Sequence, residues 1–354
     1  MRFKWLAALA GVAGIALAAL GACKSEGPPM SVAAPAAGRS GRAAPAPEGA
    51  VLAAAQVARL AEPPFTELAF VPADAEALVR VDLAALAGRN PASPEMLDFL
   101  LRAQQPAAWE VLSAAGLSLG RHIRAAYLIV GARARVTSAL LIAGVGQIDV
   151  ARAGRALQGA GGIREAAAGG AALFVWHGAD GSRVGGHDQP TGLEEAARDV
   201  AVGVADGLVL FGTPEMVRRA FAVRAGEGKD VRQSPLAAEL LAAVGDGAGA
   251  TAWGAVSARS QAQVDDAYLP ELVPGLERAH FHAVLDPAEA AGLVLRAEFA
   301  APAQAQACRD RLAGLVAQGA DLARGTPMGA ALARLRDGAR LAVEGNVLTA
   351  AAKL

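Results

Sequence analysis

Cysteine, lysine and aromatic residues are scarce in this chain. Two cysteines in 354 residues exclude a disulfide-stapled scaffold and a thiolate zinc cluster. Lysine occurs only at positions 4, 24, 229 and 353, and Lys+Arg together number 33 against 34 Asp+Glu. A net charge of −1 gives no bulk positive field, so no nucleic-acid partner is expected. Aromatic residues make up 4%, which is poor for platforms that stack sugars or single strands. No G-x-S-x-G, S-x-x-K, H-E-x-x-H or P-loop pattern occurs. The expectation is therefore a protein that is not an enzyme and needs no cofactor.

What is abundant is small. Alanine fills 91 positions and glycine 41, so the 54% hydrophobic fraction overstates the large side chains available to a core. Charged residues at 19% still describe a folded chain, and the length suits two domains.

The first residues read as an export signal. Arg2 and Lys4 precede an apolar run from Leu6 to Ala19, and no charge follows until Lys24. From Leu6 to Ala22 is 17 residues, short for a spanning helix and suited to a cleaved signal. Leu20-Gly21-Ala22-Cys23 resembles the lipobox of bacterial lipoproteins. The resemblance implies that residues 1–22 are a signal peptide cut before Cys23. It also implies that Cys23 is the lipid attachment site, carrying diacylglycerol and acyl chains such as palmitate. At about 0.8 kcal/mol per buried CH₂, two or three such chains anchor a protein stably. Enteric lipoproteins kept at the inner membrane carry Asp after the cysteine. Lys24 there implies the outer membrane, facing the periplasm.

Residues 23–62 read as a tether. Between 24 and 50 lie five Pro, four Gly and eight Ala, with Met30 and Val32 as the larger apolar groups. Such a stretch spans roughly 30 Å as a flexible coil.

Beyond it, strand and helix patterns alternate, and the second half repeats the order of the first. The hairpin patterns at 126–145 and 279–299 correspond with a shift of about 153 residues. Leu208–Phe211 and Val347–Ala350 correspond with a shift of about 139. The expected fold is α+β: two related units, 63–225 and 226–354, each an antiparallel sheet with helices packed on one face. Val71-Pro72-Ala73-Asp74-Ala75, Val79–Leu83 and the Asp206–Gly212 hairpin resemble uncharacterised bacterial envelope lipoproteins. That resemblance implies a location and no activity.

Candidate sites are few. His280 and His282 share one face of a strand. If Leu285 lies opposite Leu293, His282 faces Arg296 and His280 faces Glu298 on a polar, solvated face. His280, His282 and Glu298 are weak metal ligand candidates: a zinc site would welcome Glu298 but not Arg296, and no fourth ligand is evident. His177 and His187 flank a polar glycine-rich loop, His122 beside Arg121 and Arg124 reads as exposed, and Cys308 reads as a small apolar group within a helix. Glu239, Asp265 and Glu271 are carboxylates without an assigned partner. Trp109, Trp176 and Trp253 read as core anchors.

The favoured function is a membrane-anchored envelope lipoprotein, non-enzymatic, acting structurally or by binding an envelope protein partner. One alternative is a lipid-binding protein, suggested by the apolar stretch Ala139-Leu140-Leu141-Ile142. A second is a metal-assisted hydrolase using His280, His282 and Glu298.

Overall fold

The computed structural model describes residues 54–85, 115–131, 140–177, 199–246, 250–257, 275–284, 292–322 and 336–353. It also describes positions 98, 102, 109, 112, 113 and 333. The lipobox, Cys23, most of the tether, His187, Asp265 and Glu271 lie outside the described residues.

The described strands form one antiparallel sheet. In chain order they are β1 (Ala75–Asp82), β2 (Ile123–Gly131), β3 (Leu140–Gly146), β4 (Ile163–Ala166), β5 (Ala172–His177) and β6 (Asp199–Ala205). They continue with β7 (Leu208–Gly212), β8 (Ala252–Ser257), β9 (Leu276–Val284), β10 (Gly292–Phe299), β11 (Arg340–Glu344) and β12 (Val347–Lys353). Their spatial order is β11-β12-β10-β9-β8-β1-β2-β3-β7-β6-β5-β4. Helices among the described residues include α1 (Ala54–Arg59), α2 (Val150–Gly159), α3 (Pro214–Arg224), α4 (Leu236–Asp246) and α5 (Pro302–Leu322). The α+β class and the antiparallel pairing match the expectation. The strands of both units join in one sheet, and the expected packing of helices on one face is corrected: helices lie on both faces, because the strands bury apolar residues on both sides.

The repeat holds register for register. Leu128 lies between Val79 and Ile142, and 153 residues on Phe281 lies between Gly254 and Leu295. Ile142 adjoins Phe211 and Leu295 adjoins Ala350, so the outer strands keep the shift of 139. Val202 beside Phe211 then corresponds to Leu341 beside Ala350. The units meet where β1 pairs with β8, Val79 opposite Gly254, which makes the sheet pseudo-two-fold about that pair. Each unit opens with a strand whose outer edge is unpaired within the unit, and joining the two edges satisfies both sets of backbone groups. The first unit adds the β4–β5 hairpin on the outside of β6.

Alternation along the strands supplies a core on each face. Leu173 and Val175 of β5 join Leu210, Tyr127, Leu78 and Trp253 under α3 and α4. Phe174 faces the other way, with Val202 and Val204, against Ala153 and Leu157 of α2. On that second face α5 contributes Ala305 and Leu312 against Phe299 and Leu348. Asp149 caps α2, its side chain accepting a hydrogen bond from the Arg152 N–H at 2.9 Å, a device worth about 1 kcal/mol. α3 begins at Thr213-Pro214 and buries Met216, Val217, Ala220 and Phe221. It settles onto β6 at Gly203, where a Cβ would lie 2.4 Å from the Phe221 ring.

The second unit treats the corresponding surface differently. Where α3 covers Ala143, Gly203 and Leu210, the repeat places Arg296, Ala342 and Thr349. Arg296 and Ala342 are exposed. One face of β10, β12 and β11 is thus built for water, as antiparallel sheets permit. Among the described residues no helix is long and apolar enough to cross a membrane.

Candidate functional site

On β9 the residues Arg278, His280 and His282 share one face, and that face is the one α4 covers. The observed register puts His280 opposite Arg296, His282 opposite Val294, and Glu298 opposite Arg278. The expected pairs, His282 with Arg296 and His280 with Glu298, are thus displaced by two residues. A two-residue slip returns every side chain to its own face, so hydrophobic alternation fits both registers.

The face is also not solvated throughout. Glu239 projects from the first turns of α4, and its Oε2 lies 3.0 Å from His280 Nδ1, with the two side chains 11% and 13% exposed. Glu239 Oε1 lies 3.5 Å from the Arg278 guanidinium. Arg278 donates from Nε to Glu298 Oε2 at 2.5 Å and pairs with the same carboxylate through a second nitrogen. Burial alone would lower the Arg278 pKa, but the bond to Glu298 and the charges of Glu239 and Glu298 outweigh it and raise it. The result is a row running His280–Glu239–Arg278–Glu298 across α4, β9 and β10.

This arrangement does not make a metal centre from the three candidates. Glu298 is taken up by Arg278, not turned to the histidines. Among the described residues no three His, Cys, Asp or Glu side chains are gathered to hold an ion.

The pseudo-two-fold relates His280 to Tyr127 on β2, and a second polar group surrounds that residue. Tyr127 Oη donates to Glu67 Oε2 at 2.5 Å and accepts from Arg80 Nε at 3.1 Å. Glu67 comes from the 3-10 turn Phe65–Leu68. Arg80, 9% exposed, lies 3.6 Å from Glu67 and 3.4 Å from Asp82. Its guanidinium sits 5.9 Å from the Tyr127 ring centre and 6.0 Å from that of Trp253. Burial, the largest cause, pushes the Tyr127 phenol well above its ordinary pKa; Arg80 pulls it back and Glu67 raises it further.

Chemically, both groups are networks of donors and acceptors engaged with one another, and the hydroxyl among them, that of Tyr127, bonds to Glu67 but is buried. A serine, a histidine and an aspartate do meet near residue 120, in the wrong connection for nucleophilic catalysis. Ser118 Oγ donates to Asp98 Oδ2 at 2.7 Å, while His122 Nδ1 accepts from the Ser118 backbone N–H at 3.1 Å. No imidazole therefore faces the hydroxyl. His122 is half-buried, not exposed as its arginine neighbours suggested. Cys308 is half-buried against the α5 core. His177 ends β5 opposite Asp199, and its side chain lies outside the described residues, as do those of Leu140–Ile142. Trp253 is buried beside Phe65, with ring centres 6.4 Å apart. Trp176 is half-buried and donates to the Ala160 carbonyl at 3.1 Å. Trp109 is half-buried under the Arg102 guanidinium, 4.8 Å away.

Sequence reading missed Glu67, Arg80, Tyr127 and the role of Glu239. The available signal was Arg80, a charge placed two residues after Leu78 on the same strand face.

No protein-family model matches the chain, and no curated protein matches it. Two solved structures of TP0453 are similar. Crystal form I gives a TM-score of 0.41 at 9% identity, over 81% of this chain and 91% of that one. Crystal form IV gives 0.35 at 10% identity, over 81% and 92%. The likeness is distant and assigns no site to this chain.

Proposed function

We propose that this chain is a lipid-anchored protein of the bacterial cell envelope that acts by binding another envelope component and not by catalysis. The observation that carries the reading is Leu20-Gly21-Ala22-Cys23 directly after an uncharged apolar run. The tether supports it, since a coil of roughly 30 Å holds a folded body clear of a bilayer while leaving it free to turn. The polar groups support the non-catalytic part: Glu67, Tyr127, Arg80, Glu239, His280 and Arg278 are engaged with one another. Lys24 after the cysteine favours the outer membrane.

The mass of the mature N-terminal peptide, taken from native membranes, tests this. The expected peptide starts at Cys23 and carries diacylglycerol and acyl mass. An unmodified Cys23, or a retained Met1, would overturn the anchor and with it the envelope assignment.

A further inference from the structure

The two ends of the sheet are not alike. In the first unit β6 is covered on its outer side by β5, but among the described residues β11, its counterpart, has β12 as its one neighbour and forms the edge of the sheet. An uncovered edge presents a row of backbone donors and acceptors to any strand that fits it.

The sequence of β11, Arg340-Leu341-Ala342-Val343-Glu344, is complementary to itself run backwards. Laid antiparallel against a second copy about Ala342, it sets Arg340 opposite Glu344 twice and Leu341 opposite Val343 twice. Both arginine–glutamate pairs fall on the exposed face, where Arg340, Ala342 and Glu344 are all exposed. Both leucine–valine pairs fall on the other face, where Leu341 and Val343 already pack against the core under α5.

The hydrogen-bonding phase agrees. β11 and β12 are joined by the two-residue turn Gly345-Asn346, with Gly345 at φ 59°. In such a hairpin the flanking pair, here Glu344 and Val347, exchanges both hydrogen bonds. Alternation then turns the backbone groups of Leu341 and Val343 outward, and these are the residues that the self-complementary register places opposite each other.

The other edge is guarded. β4 reads Ile163-Arg164-Glu165-Ala166, and pairing it with its own copy about either middle residue brings Arg164 against Arg164 or Glu165 against Glu165. Like charges directly opposite are destabilising.

We infer that the β11 edge is a homodimer interface, in which two copies pair antiparallel about Ala342 and continue one sheet across the two chains. This stands independently of the lipid-anchor reading.

The test is cross-strand disulfide formation in the full-length chain carrying Ala342→Cys. The position is a non-hydrogen-bonded pair with Cα atoms about 4.5 Å apart, within disulfide reach. Mild oxidation is expected to give a covalent dimer that neither the unsubstituted chain nor Thr349→Cys, one strand inward on the same face, gives. Adding Arg340→Glu places like charges opposite and is expected to cut the dimer roughly tenfold. Adding Arg340→Glu together with Glu344→Arg is expected to restore it. The inference fails if Ala342→Cys yields no dimer, if it captures a different protein instead of itself, or if the charge reversals leave the yield unchanged.

Discussion

Tyr127 and His280 occupy the same position in the two units, 153 residues apart, and each is tied to a carboxylate lying over the sheet. Glu67 holds Tyr127 at 2.5 Å and Glu239 holds His280 at 3.0 Å. The two glutamates come from unlike elements, a 3-10 turn and a helix, so the correspondence is one of role at a repeated place in the sheet.

Removing the Tyr127 hydroxyl leaves a buried Arg80 Nε without its acceptor. Tyr127→Phe is expected to lower stability by about 1–3 kcal/mol, read as a lower urea midpoint at an unchanged slope. A midpoint equal to that of the parent chain would show that the network contributes nothing net.

Glu239 and His280 should be energetically coupled. In a double-mutant cycle with Glu239→Gln and His280→Gln, an interaction energy of about 0.5–3 kcal/mol is expected. Strict additivity of the two losses would contradict the contact.

Tyr127 also fixes the sign of an alkaline response. Its phenol is raised in the folded chain, while in the unfolded chain it ionises near pH 10. Above that pH the unfolded state has shed the proton and the folded state has not. Stability should therefore be intact below pH 10 and fall above it by up to about 1.4 kcal/mol per pH unit. Tyr127→Phe should flatten that slope. A slope that persists in the variant would assign it to other groups.

Gly203 and Gly159 make a contrasting pair. A Cβ at Gly203 would lie 2.4 Å from Phe221 and 2.6 Å from Val217, whereas at Gly159 nothing lies within 4 Å. Gly203→Ala is expected to cost about 1–3 kcal/mol by prising α3 from β6, and Gly159→Ala to be near neutral or stabilising. Equal melting temperatures for the two variants would refute the close seating of α3.

The strands were legible because their apolar residues alternate between turn signals such as Asp206-Gly207 and Gly345-Asn346. The repeat was legible in the shifts of 153 and 139. β4 was not, since Ile163-Arg164-Glu165-Ala166 has one large apolar residue and sits at an edge, where burial imposes no pattern. The β9–β10 register escaped because a two-residue slip preserves both faces. The polar rows escaped for a different reason. Arg278, His280 and His282 look like any wet strand face until α4 is laid over them, and the β9 pattern says nothing of α4. The pairing of β1 with β8 is likewise invisible locally, because it joins segments about half the chain apart.

That last pairing orders events in time. β1 ends at Asp82 and its central partner begins at Ala252. β1 can meet β8 only after the chain between them has been brought round, whatever the setting in which it folds. Until then one whole side of the first unit's sheet is open to the wrong strand. The centre of the finished molecule is thus an edge for as long as the first unit stands alone.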